Sequence, residues 1–210
     1  MEEFERKNHW KKIYQTKQLH EVSWFQPNPE TSLSFIKELN VEKHAKIIDI
    51  GGGDSLLVDH LLDSGYQNIS VLDISASALE RAKLRLGERA NKVTWIVADI
   101  ANFKPTEQYD FWHDRAAFHF LTKAAEIESY LNTLKNGLNK NGKLVVGTFS
   151  ENGPTKCSGI DIKQYSESSM SKHFNQFFKR IKCITVDYST PFETIQNFIF
   201  CSFHNSQNIA

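Results

Sequence analysis

The chain has no run of 18 consecutive apolar residues, so no segment reads as a membrane-crossing helix. Its opening, Met1 to Glu5, offers no apolar signal segment either. The expectation is therefore a cytosolic location and no membrane partner. Cysteine is scarce: Cys157, Cys183 and Cys201 stand at spacings that match neither a metal motif nor a disulfide framework. Reduced thiols are the default such usage sets, and no metal site is expected. Net charge is absent, with 25 basic side chains against 25 acidic ones. That argues against a long-range field that gathers nucleic acid. Proline and glycine are too few and too scattered for a linker, and no internal repeat or low-complexity tract is visible. At 210 residues and 40% hydrophobic composition, the chain fits one α/β domain.

What is present begins at Lys46-Ile47-Ile48-Asp49-Ile50, a β-branched run that reads as a buried strand. Gly51, Gly52 and Gly53 end it and let backbone come within contact distance of a ligand. A second apolar strand, Ile69 to Asp73, closes on an acid able to accept both hydroxyls of a ribose. Together these predict a nucleoside-containing cofactor across the carboxyl ends of adjacent parallel strands. A dinucleotide fingerprint would need a third glycine at position 56, and that residue is Leu56. The pattern favours a cofactor with a ribose and no pyrophosphate.

Elements alternate along the rest of the chain. Helices are predicted over 3–16, 30–39, 55–63, 77–87, 124–138 and 166–174, and strands over 46–50, 69–73, 93–97, 109–113 and 143–149. Two further strands, 178–188 and 194–204, are joined too closely to be parallel. The fold class is α/β: a Rossmann-like, seven-stranded, mostly parallel sheet with helices on both faces and a C-terminal antiparallel hairpin. Residues 1–210 form a single domain, with 1–40 a helical appendage and 41–210 the sheet core.

Asp49-x-Gly51-x-Gly53, with Asp73 ending the next strand, resembles motifs I and II of class I S-adenosylmethionine-dependent methyltransferases. The order of later elements extends the resemblance over nearly the whole chain. It implies S-adenosyl-L-methionine as cofactor, with Gly51, Gly52 and Gly53 beside its methionyl part and Asp49 holding that loop. Asp73 would take the ribose hydroxyls, and the adjacent Ile74 would also contact the cofactor. Ala98-Asp99-Ile100 resembles the adenine site, with Asp99 near the exocyclic amine and Ile100 against the ring; a turn-forming Asp99 is the alternative.

His113-Asp114-Arg115-Ala116-Ala117-Phe118-His119 stands at the family's motif IV, the mouth of the methyl-transfer site. Its Asp-Arg-Ala core resembles the Asp-Arg-Gly-Ala segment of thiopurine S-methyltransferases. The layout also resembles the small methyltransferases acting on lysines of elongation factor 1A. Trp10, Tyr14 and Trp24 match the N-terminal aromatics that cover the cofactor in those groups, as a lid or as a permanently docked helix. Ala116 replaces glycine, and His119 stands where neither group requires histidine. By this resemblance Arg115 and His113 approach the cofactor, with an ion pair as the alternative for Arg115. His113, Asp114 and His119 are candidates for handling a proton, with a helix cap as the alternative for Asp114. His113 and His119, six apart, match no usual zinc pattern.

The resemblance implies methyl transfer to a small-molecule thiol, amine or carboxylate. A protein lysine acceptor and a non-catalytic S-adenosylmethionine-binding module are the alternatives. Enzymes that methylate base amines usually carry an Asn/Asp-Pro-Pro-aromatic motif where this chain reads His113-Asp114-Arg115-Ala116, which again disfavours nucleic acid.

Overall fold

Alternation of side chains along buried strands decides how this chain layers. In a computed structural model that describes residues 6–206, strand β1 (Lys46–Ile50) sends Ile47 to one face of a sheet and Ile48 and Ile50 to the other. Strand β2 (Asn68–Asp73), β3 (Val93–Val97) and β4 (Tyr109–Arg115) pair parallel to it or to one another. Strand β5 (Leu138–Phe149) continues the parallel set beside β4. A two-residue hairpin follows, β6 (Lys156–Cys157) with β7 (Ile160–Asp161). The chain closes with β8 (Lys179–Ser189) and β9 (Ile195–His204), antiparallel to each other, with β9 antiparallel to β5.

The large sheet has the order β3-β2-β1-β4-β5-β9-β8. Strand order reverses between β1 and β4, which opens a crevice at their carboxyl ends. Two helical layers cover the sheet. Helices α2 (Glu30–Glu38), α3 (Leu57–Asp63) and α4 (Ala76–Leu86) bring Phe35, Ile36, Leu57, Leu61 and Leu79 against Ile47, Val71 and Phe111. Helices α5 (Ala124–Gly137) and α6 (Glu167–Phe174) bring Tyr130, Leu134, Met170 and Phe174 against Ile48, Trp112 and Val146. Each fully buried side chain of this size contributes roughly 1.5–3 kcal/mol by leaving water. The two layers therefore fix the pleat of every central strand.

Helix α1 (Arg6–Thr16) buries no residue fully and is held from outside. Arg81 on α4 donates to the carbonyls of Tyr14 at 3.1 Å and Lys17 at 2.6 Å. The predicted start of this helix at residue 3 lies outside the described residues.

The predicted seven strands and their directions are observed. Several details differ, among them that β4 runs on to Arg115, past the predicted end at 113, and that the β6–β7 hairpin lies outside the predicted strands. The N-cap of α4 is Ser75, whose Oγ accepts from the Ala78 amide at 3.4 Å, so the helix starts ahead of the predicted residue 77. Strand β5 starts at Leu138, because Tyr109 pairs with Leu138 before a bulge shifts the β4 register. The expectation of reduced thiols fails for one pair. Cys183 and Cys201 are directly opposed across β8 and β9, with Cα atoms 4.1 Å apart, and form a disulfide. Cys157 is free and buried. Among the described residues no helix is long and apolar enough to cross a membrane.

Candidate functional site

The crevice at the β1/β4 switch opens into a cleft of about 1000 Å³, counted to its solvent mouth. Its floor is the glycine loop. Gly51 and Gly53 both take left-handed φ values, +65° and +50°, which glycine adopts without a Cβ penalty. Space imposes the same choice. A Cβ on Gly51 would stand 2.7 Å from the Ala117 Cβ, and one on Gly53 would stand 2.8 Å from the Tyr14 hydroxyl and 3.1 Å from Asp73 Oδ2. The loop thus presents backbone to the cleft and lets the N-terminal segment close down on it.

Asp73 ends β2 at the cleft wall, 5% exposed. Its Oδ1 accepts the Ser75 amide at 2.7 Å, and burial pushes its carboxyl up to about 7. Neighbouring Asp54 and Asp49 push in the same direction. Asp54, buried behind the cleft wall, is paired with Arg81 at 3.0 Å, whereas Asp73 has no cationic partner among the described residues. Asp49 lies opposite His113 in the β1/β4 register. His113 Nδ1 is 2.6 Å from Asp49 Oδ1, and its Nε2 is 2.8 Å from the Ser32 hydroxyl on α2. All three line the cleft.

Ile74, Asp99 and Ile100 form the next stretch of wall. Asp99 Oδ1 accepts the Ala101 amide at 2.9 Å, which is the turn-forming role, while the residue still faces the cleft. Trp10, Tyr14 and Trp24 roof the opening. The Trp10 ring meets Trp24 at 5.6 Å and Phe120 at 5.2 Å between centroids, both edge-on. Arg6 also lines the cleft and is bonded to Glu126 on α5, which ties the roof to the far wall.

Motif IV divides its residues between two tasks. Asp114 is fully buried and does not reach the cleft. Its carboxylate accepts from the amides of Ala117 at 3.0 Å and Phe118 at 3.1 Å and from the Tyr130 hydroxyl at 2.9 Å. Burial pushes its carboxyl up to about 6 against those bonds. In this geometry it caps the turn after β4, the alternative that sequence allowed for it. His119 is likewise fully buried, packed between the rings of Phe120 and Phe149. Burial, with the charge of Arg115 added, pushes its imidazole down to about 3, so it stays neutral inside the core. The structure brings neither residue to the cleft. Their direction follows from the turn after β4, which sends residues 118–120 into a short 3-10 helix.

Arg115 does line the cleft. Its Nη1 donates to the Trp24 carbonyl at 3.1 Å, and its charge lies 5.5 Å from the Tyr188 ring and 5.3 Å from the Phe198 ring. Burial pushes its pKa down to about 10, which leaves it protonated at neutral pH. Ala116 takes φ +66°, the backbone state that glycine favours at this point of the resembled motif. Sequence reasoning missed Ser32 and Cys157 as cleft residues. Ser32 sits within an amphipathic helix with nothing local to mark it.

Comparison with known proteins adds to this geometry. Residues 48–144 match the profile of a methyltransferase domain. The chain is 29% identical over 109 residues to malonyl-[acyl-carrier protein] O-methyltransferase 1 of Ilyobacter polytropus, covering 51% of this chain and 39% of that protein. It is 28% identical over 104 residues to the mouse eEF1A lysine and N-terminal methyltransferase, covering 49% of this chain and 14% of that protein. The matched region thus spans well under half the length of these relatives. The N-methyltransferase NodS of Bradyrhizobium japonicum, solved with S-adenosyl-L-homocysteine, superposes with a TM-score of 0.73 at 15% identity, covering 97% of this chain and all of that one. A methyltransferase from Anabaena variabilis gives 0.75 at 14% identity, covering 97% and 96%.

Proposed function

We propose that the chain is a class I S-adenosylmethionine-dependent methyltransferase and that it transfers that cofactor's methyl group to a small-molecule acceptor. The observation that carries the reading is Asp73, a buried acid without a cationic partner, beside a glycine loop of bare backbone. An unpaired buried carboxylate is costly unless a ligand offsets it.

The residues present fit the cofactor. Asp73 would accept the ribose hydroxyls, while Ile74 and Ile100 flank the base and Asp99 its exocyclic amine. The Gly51–Gly53 backbone would lie along the methionyl chain, with Asp49 and His113 beyond it. Asp49 and Asp73 make this half of the cleft favour a cation, which suits a sulfonium and an ammonium. Trp10, Tyr14 and Trp24 would exclude water from the reacting centre. When bound, the cofactor supplies a methyl group on positively charged sulfur, which an aligned nucleophile can displace. His113 is the cleft group placed to hold a proton if the acceptor gives one up, with Asp49 fixing its ring.

Small-molecule acceptors are supported by the O-methyltransferase relative and by the cleft's enclosure under its aromatic roof. A cytosolic location belongs to the same proposal. Titration calorimetry should show binding of S-adenosylmethionine and S-adenosylhomocysteine and none of NAD. Binding of NAD with no response to either sulfur compound would sink the reading. Transfer of a tritiated methyl group into cell extract should label the small-molecule fraction. Label in protein alone would move the acceptor to a lysine, as the mouse relative's name would have it, and label nowhere would leave a binding module.

A further inference from the structure

We propose that Arg115 is a binding site for a carboxylate carried by the methyl acceptor. This rests on the methyltransferase reading and narrows its substrate class. The first observation is that Arg115 has no acidic partner among the described residues. The other cleft-lining arginine, Arg6, is bonded to Glu126, and the adjacent Arg81 is paired with Asp54. Arg115 meets only the neutral Trp24 carbonyl and two aromatic rings. Its Nε and Nη2 are buried without a hydrogen-bond partner. Unmet donors on a charged, desolvated group are among the costlier defects a fold can carry.

The second observation is which donors are unmet. Nη1 is engaged, and Nε with Nη2 form a single edge of the planar guanidinium. That edge is the side-on fork that receives both oxygens of a carboxylate in two parallel bonds. Arg115 and Trp24 both line the cleft, and Nη1 ties one to the other. A carboxylate entering on the free edge would leave the Trp24 carbonyl contact on Nη1 in place and add two charge-assisted bonds at Nε and Nη2.

Two carboxylates could come to this place, the acceptor's and the cofactor's own methionyl group. The layout favours the acceptor. The acids and the glycine loop stand on the β1–β2 half of the sheet, whereas Arg115 points among Tyr188 of β8 and Phe198 of β9, beyond β4 in the strand order. The cleft thus grades from acids on β1 and β2, where the cationic cofactor would lie, to one cation without an ion-pair partner at the end of β4.

The test uses the full chain loaded with S-adenosylhomocysteine, titrated with acetate and with isosteric, uncharged acetamide while amide chemical shifts are followed. Acetate should give saturable shifts around Arg115, Trp24 and Tyr188, and acetamide should bind at least about tenfold more weakly. Arg115→Gln should abolish the preference for acetate, and Arg115→Lys should recover only part of it. Calorimetry on the same variants separates the two sources. Arg115→Gln should change affinity for S-adenosylhomocysteine and for 5′-methylthioadenosine, which lacks the amino-acid end, by the same factor, because the Trp24 tie it also removes bears on both. A selective loss of S-adenosylhomocysteine would assign the fork to the cofactor and overturn the proposal. Equal response to acetate and acetamide in the wild type would overturn it without any variant. Failure of the wild type to bind S-adenosylhomocysteine would instead remove the methyltransferase reading.

Discussion

At the scale of single residues, Asp73 shows how burial becomes a measurable pH dependence. Its carboxyl is raised to about 7, so the folded chain holds a proton there that the unfolded chain releases near the ordinary carboxylate value. Between about pH 4 and 7 the unfolded state therefore binds fewer protons, and the stability of the ligand-free protein falls as pH rises. Thermal melts across this window should show that slope, and Asp73→Asn should lessen it. Asp114, raised to about 6, would keep the remainder. Cofactor binding runs the other way, because ribose hydroxyls donate to the ionised form. Affinity for S-adenosylhomocysteine should climb as pH approaches 7, by up to about tenfold per unit, and flatten above it. Asp73→Ala should weaken binding by about 1–3 kcal/mol through lost charge-assisted bonds. Ala116 is a second case. A non-glycine residue at φ +66° costs about 1–2 kcal/mol, so Ala116→Gly should raise denaturant stability by up to about 1 kcal/mol once glycine's own chain entropy is subtracted.

At the scale of elements, the N-terminal segment is held by polar ties more than by buried apolar surface. Arg81 grips the end of α1, His60 meets the Pro27 carbonyl at 3.0 Å, Arg115 meets the Trp24 carbonyl, and the Tyr188 hydroxyl donates to the Phe25 carbonyl. Such ties open at lower cost than a packed core, which suits a cover that admits ligand. Hydrogen exchange from Trp10 to Trp24 should slow markedly when S-adenosylhomocysteine is added, while Val71-Leu72 and Val145-Val146 change little. Equal protection with and without ligand would make α1 a docked helix. Arg81→Ala should speed exchange in α1 and weaken cofactor binding, since an Asp54 left without its partner would push the Asp73 carboxyl further up and away from the ionised form.

At the scale of the whole molecule, the C-terminal hairpin is the part that composition misjudged. Cys183 and Cys201 meet because the β8/β9 register opposes them, as it opposes Tyr188 and Gln196 nearer the turn. A register one residue out would have put both thiols beside other side chains. Closing this loop restricts the unfolded chain, so the Cys183→Ser, Cys201→Ser double variant should lose up to about 3 kcal/mol in denaturant unfolding. Alkylation before reduction should label Cys157 alone once the protein is denatured. The state of the pair in protein trapped directly from cells reports on the compartment.

The parallel strands, the glycine turn and the acid ending β2 were legible because each is a local pattern. A β-branched run, a positive-φ requirement and a polar residue at a buried strand end have few other solutions. The aromatics at Trp10 and Trp24 were legible by likeness, although only the fold placed them over the cleft. Sequence could not separate His113 from His119, two histidines six residues apart. The pleat of β4 turns one toward Asp49 and Ser32, and the turn capped by Asp114 drives the other into the core. Ser32, the unmatched edge of Arg115 and the Cys183–Cys201 bond were decided by tertiary structure alone. Each depends on which side chains from distant segments arrive at one place. That is set by packing and strand register, not by any residue's neighbours in the chain.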